Sequence, residues 1–479
     1  MSNLFLVIDF GTTSTKSALV DLDSGDFIAL QRLSQGAPTR ADSAGSNNRH
    51  ELSLTELLER FSTICHDAWQ HHHFEGIVLC SEMHGFAVID EEGKPQTEYV
   101  SWLDARSLET VGDGPSTHDL IVEHLGEDFR RLTGMRPRPG FPLLNLAHTA
   151  RTGGLRSDNG WVLSLPAVLA CLSHDGVGDE TIEHPTMLAA MALADVEAGS
   201  TASPDLLRVV EETSGFRARL GKTSQEGQVA GHWPGPDGLI PIYAGVGDHQ
   251  CSVLGAAPTP GTDANLNLGT GSQVGIVDGP ADSAFERRPY FDGRHLTAVT
   301  HIPAGRALNE YVGFLEAIAT RAGGETDFWK ILAEVTGAGL QPDKIQQGSL
   351  SVDLAIFEGA RGWTSGGSIG GIVEGSLGVE NYLAAVIRAF TQQYVDVLAT
   401  LDPDHRLQRL VLSGGIARRL PHLRQMLAAS TPYDVLPAVE LDESLLGLRA
   451  LALHAAGRAA TVADAAALFG RQCRIRSAP

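Results

Sequence analysis

Leu4-Phe5-Leu6-Val7-Ile8-Asp9-Phe10-Gly11-Thr12-Thr13-Ser14-Thr15-Lys16-Ser17-Ala18-Leu19-Val20 is the stretch on which the fold turns. Its apolar run Leu4 to Ile8 stops at a polar turn and resumes at Ala18 before Asp21 and the Ser24-Gly25 turn, which predicts a buried strand, a turn and a second strand. A similar unit recurs as Asn265-Leu266-Asn267-Leu268-Gly269-Thr270-Gly271-Ser272 followed by Val274-Gly275-Ile276-Val277, so that Gly11-Thr12-x-Ser14 lies over Gly269-Thr270-x-Ser272. A second pair follows in the same order. Gly76-Ile77-Val78-Leu79-Cys80-Ser81 resembles Arg409-Leu410-Val411-Leu412-Ser413-Gly414, each an apolar run opening into a polar loop. Two matched pairs in one order predict a duplicated domain rather than a solenoid.

The Pro/Gly cluster His232-Trp233-Pro234-Gly235-Pro236-Asp237-Gly238 precedes a new apolar strand at Leu239 to Ala244 and marks the expected boundary, giving domains 1–243 and 244–479. Tyr382, Leu383, Val386, Ile387, Phe390, Tyr394, Val397, Leu398 and Leu401 fall on one helical stripe that feeds the Leu410 strand. Segments 54–69, 187–198, 311–322 and 444–457 read as further helices.

Lys and Arg total 36 against 58 Asp and Glu, a net charge of −22, so the average surface repels polyanions and anionic lipid heads, and neither a nucleic-acid nor a membrane partner is expected. A small phosphate ligand remains compatible, because net charge governs encounter rather than the chemistry inside a cleft. Cysteines at 65, 80, 171, 251 and 473 form no CxxC and read as reduced thiols, which with the absence of a leader-like N-terminus or a long apolar run predicts a cytoplasmic chain. His71-His72-His73 points to different helix faces and reads as an exposed helix end, not a metal site.

Chemistry gathers in the loops. The turn at Asp9 to Lys16 combines a glycine with hydroxyls and can approach phosphate oxygens, although it lacks the second Gly of a P-loop and leads into a strand; the alternative is a polar hairpin turn. Gly269-Thr270-Gly271-Ser272 offers a second cradle, and in a duplicated fold the two would face each other across a cleft. Gly247-Asp248 places a carboxylate at a strand's end, able to accept a proton from a hydroxyl or to bind magnesium through water, or else forms a plain turn. Ser413-Gly414-Gly415 leaves bare backbone for a base or an α-phosphate. Met83, His84, Trp102, Asp104 and Arg106 are groups that grip a polyol; Met83 otherwise reads as core packing, Trp102 as a buried anchor, and Asp104 with Arg106 as a local ion pair.

The ordered set Asp9-Phe10-Gly11-Thr12-Thr13, Met83-His84-Gly85, Trp102-x-Asp104-x-Arg106, Gly247-Asp248-x-Gln250, Gly269-Thr270-Gly271-Ser272 and Ser413-Gly414-Gly415 resembles the FGGY family of carbohydrate kinases. Within it, Met-His-Gly, Gly-Asp-x-Gln and Pro289-Tyr290-Phe291-Asp292-Gly293-Arg294 are most similar to the sedoheptulokinase and xylulokinase branches. The resemblance implies an α/β fold of two duplicated ribonuclease H-like, actin-like ATPase domains with an interdomain cleft, sugar on the N-terminal half and MgATP on the C-terminal half. It implies Asp248 as the base, Asp9 and Asp248 at Mg²⁺, and Thr12, Thr13 and Lys16 near the transferred phosphoryl group. Gly269, Thr270, Gly271 and Ser272 would hold nucleotide phosphates, and Gly414 and Gly415 would border adenosine. Met83, His84, Trp102, Asp104, Arg106 and Gln250 would line the sugar site. The expected partner is a small sugar or polyol, with a homodimer allowed for. The alternative is a nucleotide-driven conformational switch of the actin-like class, for which residues 83–106 would have no use.

This chain departs from the family pattern at Phe10, where Leu is usual, at Glu82, where many relatives have Gln, and at Pro303-Ala304-Gly305-Arg306. Glu82 and Arg306 bear on the polarity of the sugar site.

Overall fold

The structure is a computed structural model that describes residues 3–34, 48–269, 271–282, 284–324, 326–337, 348–356, 366–420, 422–472 and 474–476. Leu4–Phe10 and Ser14–Asp21 form the expected antiparallel hairpin, with Phe10 opposite Thr15, and Gly76–Ser81 adds in parallel to the first strand. Both Leu4–Phe10 and Gly76–Ser81 are almost wholly buried. That explains why they read as unbroken apolar runs rather than alternating ones. Leu6, Ile8, Phe10, Ile77 and Leu79 pack with Leu54, Leu57, Phe61 and Ile64 of helix Leu54–His71. Ser53 caps that helix by accepting from the Glu56 amide at 3.3 Å, and His71 at its end is exposed, as expected.

The duplication is visible in the sheets. Asp263–Leu268 pairs antiparallel with Ser272–Val277 and parallel with Arg409–Ser413, repeating the first hairpin and its parallel neighbour. A third antiparallel strand flanks each hairpin, Phe27–Ser34 in the first copy and His295–Ile302 in the second. A further parallel strand lies beyond each, Val246–Gly247 and Asp434–Leu436. The second turn is one residue shorter: Leu268 faces Ser272, so Ser272 corresponds to Thr15 and not to Ser14. Helix Val379–Leu401 buries all nine residues of its expected stripe in the second core.

Two compact units result, one of Met1–Ala257, Arg287–His295 and Ser444–Pro479, the other of Pro258–Glu286 and Leu296–Glu443. The division therefore differs from 243/244. The Pro/Gly cluster is a hairpin within the first sheet, Val229–Gly235 against Gly238–Tyr243, and Trp233 sits in the core at 2% exposure. Val246–Gly247 then pairs with Gly76–Ser81, which keeps Asp248 in the first unit rather than the second. The segment 187–198 is helical only in Pro185–Ala190; Ala192, at a φ of 56°, turns the chain into strand Ala194–Asp195. Helix Gly305–Arg321 begins earlier than expected, and Glu443–Ala455 matches. Cys65, Cys80, Cys171 and Cys251 are free and buried, while Cys473 lies outside the described residues. Among the described residues no helix is long and apolar enough to cross a membrane.

Candidate functional site

Three parallel strands of the first unit, Leu4–Phe10, Gly76–Ser81 and Val246–Gly247, end side by side, with Asp9 opposite Cys80 and Gly247 opposite Ser81. Their carboxyl edge carries Asp9, Glu82 and Asp248, at the position where open α/β sheets place their chemistry. Asp248 begins helix Asp248–Ala256, and its carboxyl is pushed up to about 7 by burial and then by the Asp9 and Glu82 charges, against a backbone bond from His249 and the Lys16 charge. Lys16 Nζ donates to Asp9 Oδ2 at 2.9 Å and Ser444 Oγ donates to the same oxygen at 2.6 Å. Asp9 Oδ1 is buried without a partner.

Trp102 Nε1 donates to Thr12 Oγ1 at 3.1 Å, holding the first turn against the 102–106 loop, while Thr13 at the turn is exposed. Met83 packs with Met187 and Ala190. His84, held at a φ of 64°, bonds through Nδ1 to the Ala190 carbonyl at 2.6 Å. A Cβ at Gly247 would lie 2.9 Å from both the Met83 sulfur and Gln250 Oε1, so a larger residue there would displace those two side chains. Gln250 Nε2 donates to the Pro289 carbonyl at 3.3 Å, and its Oε1 is buried and unpartnered.

Asp104 and Arg106 differ from the sugar-gripping expectation. Asp104 is fully buried and accepts from Arg106 Nε and Nη2, both at 2.8 Å, and from the amides of Arg106 and His50. Arg106 also donates to Thr149 Oγ1 and to Glu51. With its hydrogen-bonding capacity spent inside the protein, this pair fastens loops rather than facing a ligand.

The amide of Gly247 donates to Thr186 Oγ1 at 3.1 Å. The Thr186 hydroxyl and amide both donate to His184 Nδ1, at 2.8 and 3.2 Å, and His184 Nε2 therefore donates to Glu226 at 3.0 Å. Glu226 in turn accepts from the Asp292 amide, and Asp292 caps helix Val462–Phe469 through the amides of Val462 and Ala463. This chain of bonds fixes the backbone next to Asp248. Its members carry no local sequence signal, and His184 has no ligand spacing.

In the second unit, Gly269 and Gly271 flank the shortened hairpin turn, with open space around Gly271; Thr270 lies outside the described residues. Gly414 has a φ of 91°, and a Cβ there would lie 2.5 Å from the Leu268 carbonyl oxygen, so only glycine fits. Its amide donates to Glu443 at 3.2 Å, and Glu443 is held by Arg418 Nη1 at 2.9 and 3.0 Å. Gly415, with open space around it, starts helix Gly415–Arg419. Ser272 departs from its expected phosphate role, because it is fully buried and its hydroxyl accepts from Tyr394 at 2.8 Å.

The FGGY family of carbohydrate kinases, N-terminal domain, matches residues 4–149. This part of the chain is an FGGY carbohydrate-kinase N-terminal domain. The chain is similar to a gluconokinase of Bacillus subtilis (strain 168), 30% identical over 149 residues, which is 31% of this chain and 27% of that relative. A xylulose kinase of Staphylococcus xylosus is 31% identical over 106 residues, 22% of this chain and 21% of its own length. The aligned stretch thus spans about a quarter of each curated relative. The whole fold is that of a solved xylulose kinase from Lactobacillus acidophilus, with a TM-score of 0.76, 17% identity, and coverage of 97% of this chain and 91% of that one. The fold is accordingly the actin-like, ribonuclease H-like one that the resemblance implied.

Proposed function

We propose that the chain is an ATP-dependent carbohydrate kinase that transfers the γ-phosphate to a primary hydroxyl of a ketose, sedoheptulose first and xylulose next. The observation that carries this reading is Asp248: a carboxylate at the carboxyl edge of three parallel strands whose pKa, at about 7, suits proton acceptance near neutrality. Asp248 takes the proton as the sugar oxygen attacks in line. Phosphoryl transfer asks the protein chiefly for alignment and charge neutralisation. Lys16, Thr12 and Thr13 lie on the turn assigned to the phosphoryl group, Met83, His84 and Gln250 line the ketose site, and Gly269, Thr270, Gly271, Gly414 and Gly415 receive the nucleotide.

The donor set fits Mg²⁺: Asp9 Oδ1 is a buried, unpartnered carboxylate oxygen, and Asp248 directly follows the strand Val246–Gly247 of the same sheet. Asp9 and Asp248 would hold it, and when bound it supplies charge neutralisation at the phosphate oxygens. The test is ADP release from MgATP across sedoheptulose, xylulose, ribulose and fructose. Sugar-dependent release that Asp248→Asn abolishes is expected; release indifferent to sugar would favour the conformational-switch class and end this reading.

A further inference from the structure

We infer that the turn at Pro289 to Arg294 positions Asp248 by holding the chain on both sides of it, and that Glu226 is a positioning residue for the reaction. The inference deepens the kinase reading and rests on it for the role of Asp248. Arg287–His295 belongs to the first unit, although the chain on either side of it, Pro258–Glu286 and Leu296–Glu443, belongs to the second. Its local form follows from Asp292-Gly293. Both residues have a positive φ, 57° and 69°, and the Arg294 amide closes onto the Phe291 carbonyl at 3.2 Å, a tight turn of the kind that Asp-Gly favours.

Two routes lead from this turn to Asp248, which opens helix Asp248–Ala256 with Gly247 at the cap position. The first is direct: the Pro289 carbonyl accepts from Gln250 Nε2 at 3.3 Å, two residues after Asp248. The second runs through Glu226. Its Oε1 accepts from the Asp292 amide at 3.1 Å and its Oε2 from His184 Nε2 at 3.0 Å, and the path ends at the Gly247 amide, held by Thr186 at 3.1 Å one residue before Asp248. The Phe291 ring lies 5.7 Å from the His184 imidazole, so packing joins the same elements. Asp292 also takes two amides of helix Val462–Phe469, at 2.9 and 2.8 Å, which ties the turn to a third stretch of the first unit.

Acceptor count makes Glu226 specific. The Thr186 amide can only donate, so His184 Nδ1 accepts, the proton sits on Nε2, and position 226 must supply one acceptor there and another to Asp292. Glutamine has one acceptor oxygen where two are used. A backbone free to shift beside a reacting carboxylate loses alignment, which is most of what the protein supplies to phosphoryl transfer.

The experiment compares the wild type, Glu226→Gln and Thr461→Ala, each as the full chain, in two readouts. One is amide hydrogen exchange of peptides spanning residues 246–251; the other is steady-state ADP release with MgATP and the preferred ketose. Thr461 caps helix Val462–Phe469 through the Asp464 amide at 3.0 Å and forms none of the bonds on either route, so Thr461→Ala reports a weakened fold alone. Glu226→Gln should speed exchange at Gly247 about tenfold or more and lower kcat roughly tenfold with KM held within about twofold. Thr461→Ala should lower the urea midpoint and change neither readout. Should Glu226→Gln not fold, Glu226→Asp, which keeps the charge and loses the reach, carries the same expectation. Unchanged exchange in the position 226 variant, faster exchange with kcat intact, or equal losses in Thr461→Ala overturns the inference. A wild type without sugar-dependent release sinks the kinase reading instead, and faster exchange in Glu226→Gln then still shows the turn anchoring Asp248.

Discussion

Asp248→Asn should make the protein inactive and, at alkaline pH, more stable. Burial and the Asp9 and Glu82 carboxylates carry the Asp248 carboxyl from 3.8 up to about 7, so the folded state binds a proton more tightly than the unfolded chain does. For a carboxyl raised in the fold, the destabilisation is complete above the folded value and fades as the pH falls toward the unfolded one. The displacement corresponds to on the order of 4 kcal/mol at pH 8 and under about 2 kcal/mol at pH 5. Asparagine keeps the shape without the charge and should recover most of that difference. Urea unfolding of the wild type and Asp248→Asn, without ligand, at pH 8, 6.5 and 5 measures it. The variant's advantage should shrink steadily toward acid while sugar-dependent ADP release is absent throughout. A variant no more stable than the wild type at pH 8, or an advantage independent of pH, would refute the charge-crowding argument. The gain would mark a residue whose costly ionisation is retained for chemistry.

Two other substitutions examine the supports of the site. Asp104→Ala leaves the buried Arg106 guanidinium without its bidentate partner and should cost about 3–5 kcal/mol in urea unfolding, whereas a residue that merely touches sugar would alter KM with stability intact. Thr186→Val removes the hydroxyl that holds the Gly247 amide and should lower kcat about tenfold with KM little changed, while Thr186→Ser restores the rate; equal losses in both variants would reduce Thr186 to packing.

Much of the fold is legible in the sequence because it is local. The apolar run Leu4 to Ile8, its turn and its echo at 265–277 define hairpins by period and punctuation alone, and the stripe from Tyr382 to Leu401 defines a helix by spacing. The chemical character of the turns at Asp9, Gly269 and Gly414 is equally readable. Elsewhere a partner reached through space overrides the local signal. Pro234 to Gly238 has the composition of a linker and folds as a hairpin because Trp233 is drawn into the core. Asp104 and Arg106 have the chemistry of sugar ligands and are spent on each other, and Ser272 is taken up by Tyr394.

Sequence alone determined the kinds of element, their duplication and which chemical groups stand at the strand ends, since backbone geometry and side-chain type act over a few neighbouring residues. Only the tertiary structure decided which of those groups stay available. Ser444 reaches Asp9 from 435 positions away, and Gly247 is held by Thr186. The reason is that a polar atom's partner is chosen by distance in space and by exclusion of water, and neither follows from its place along the chain.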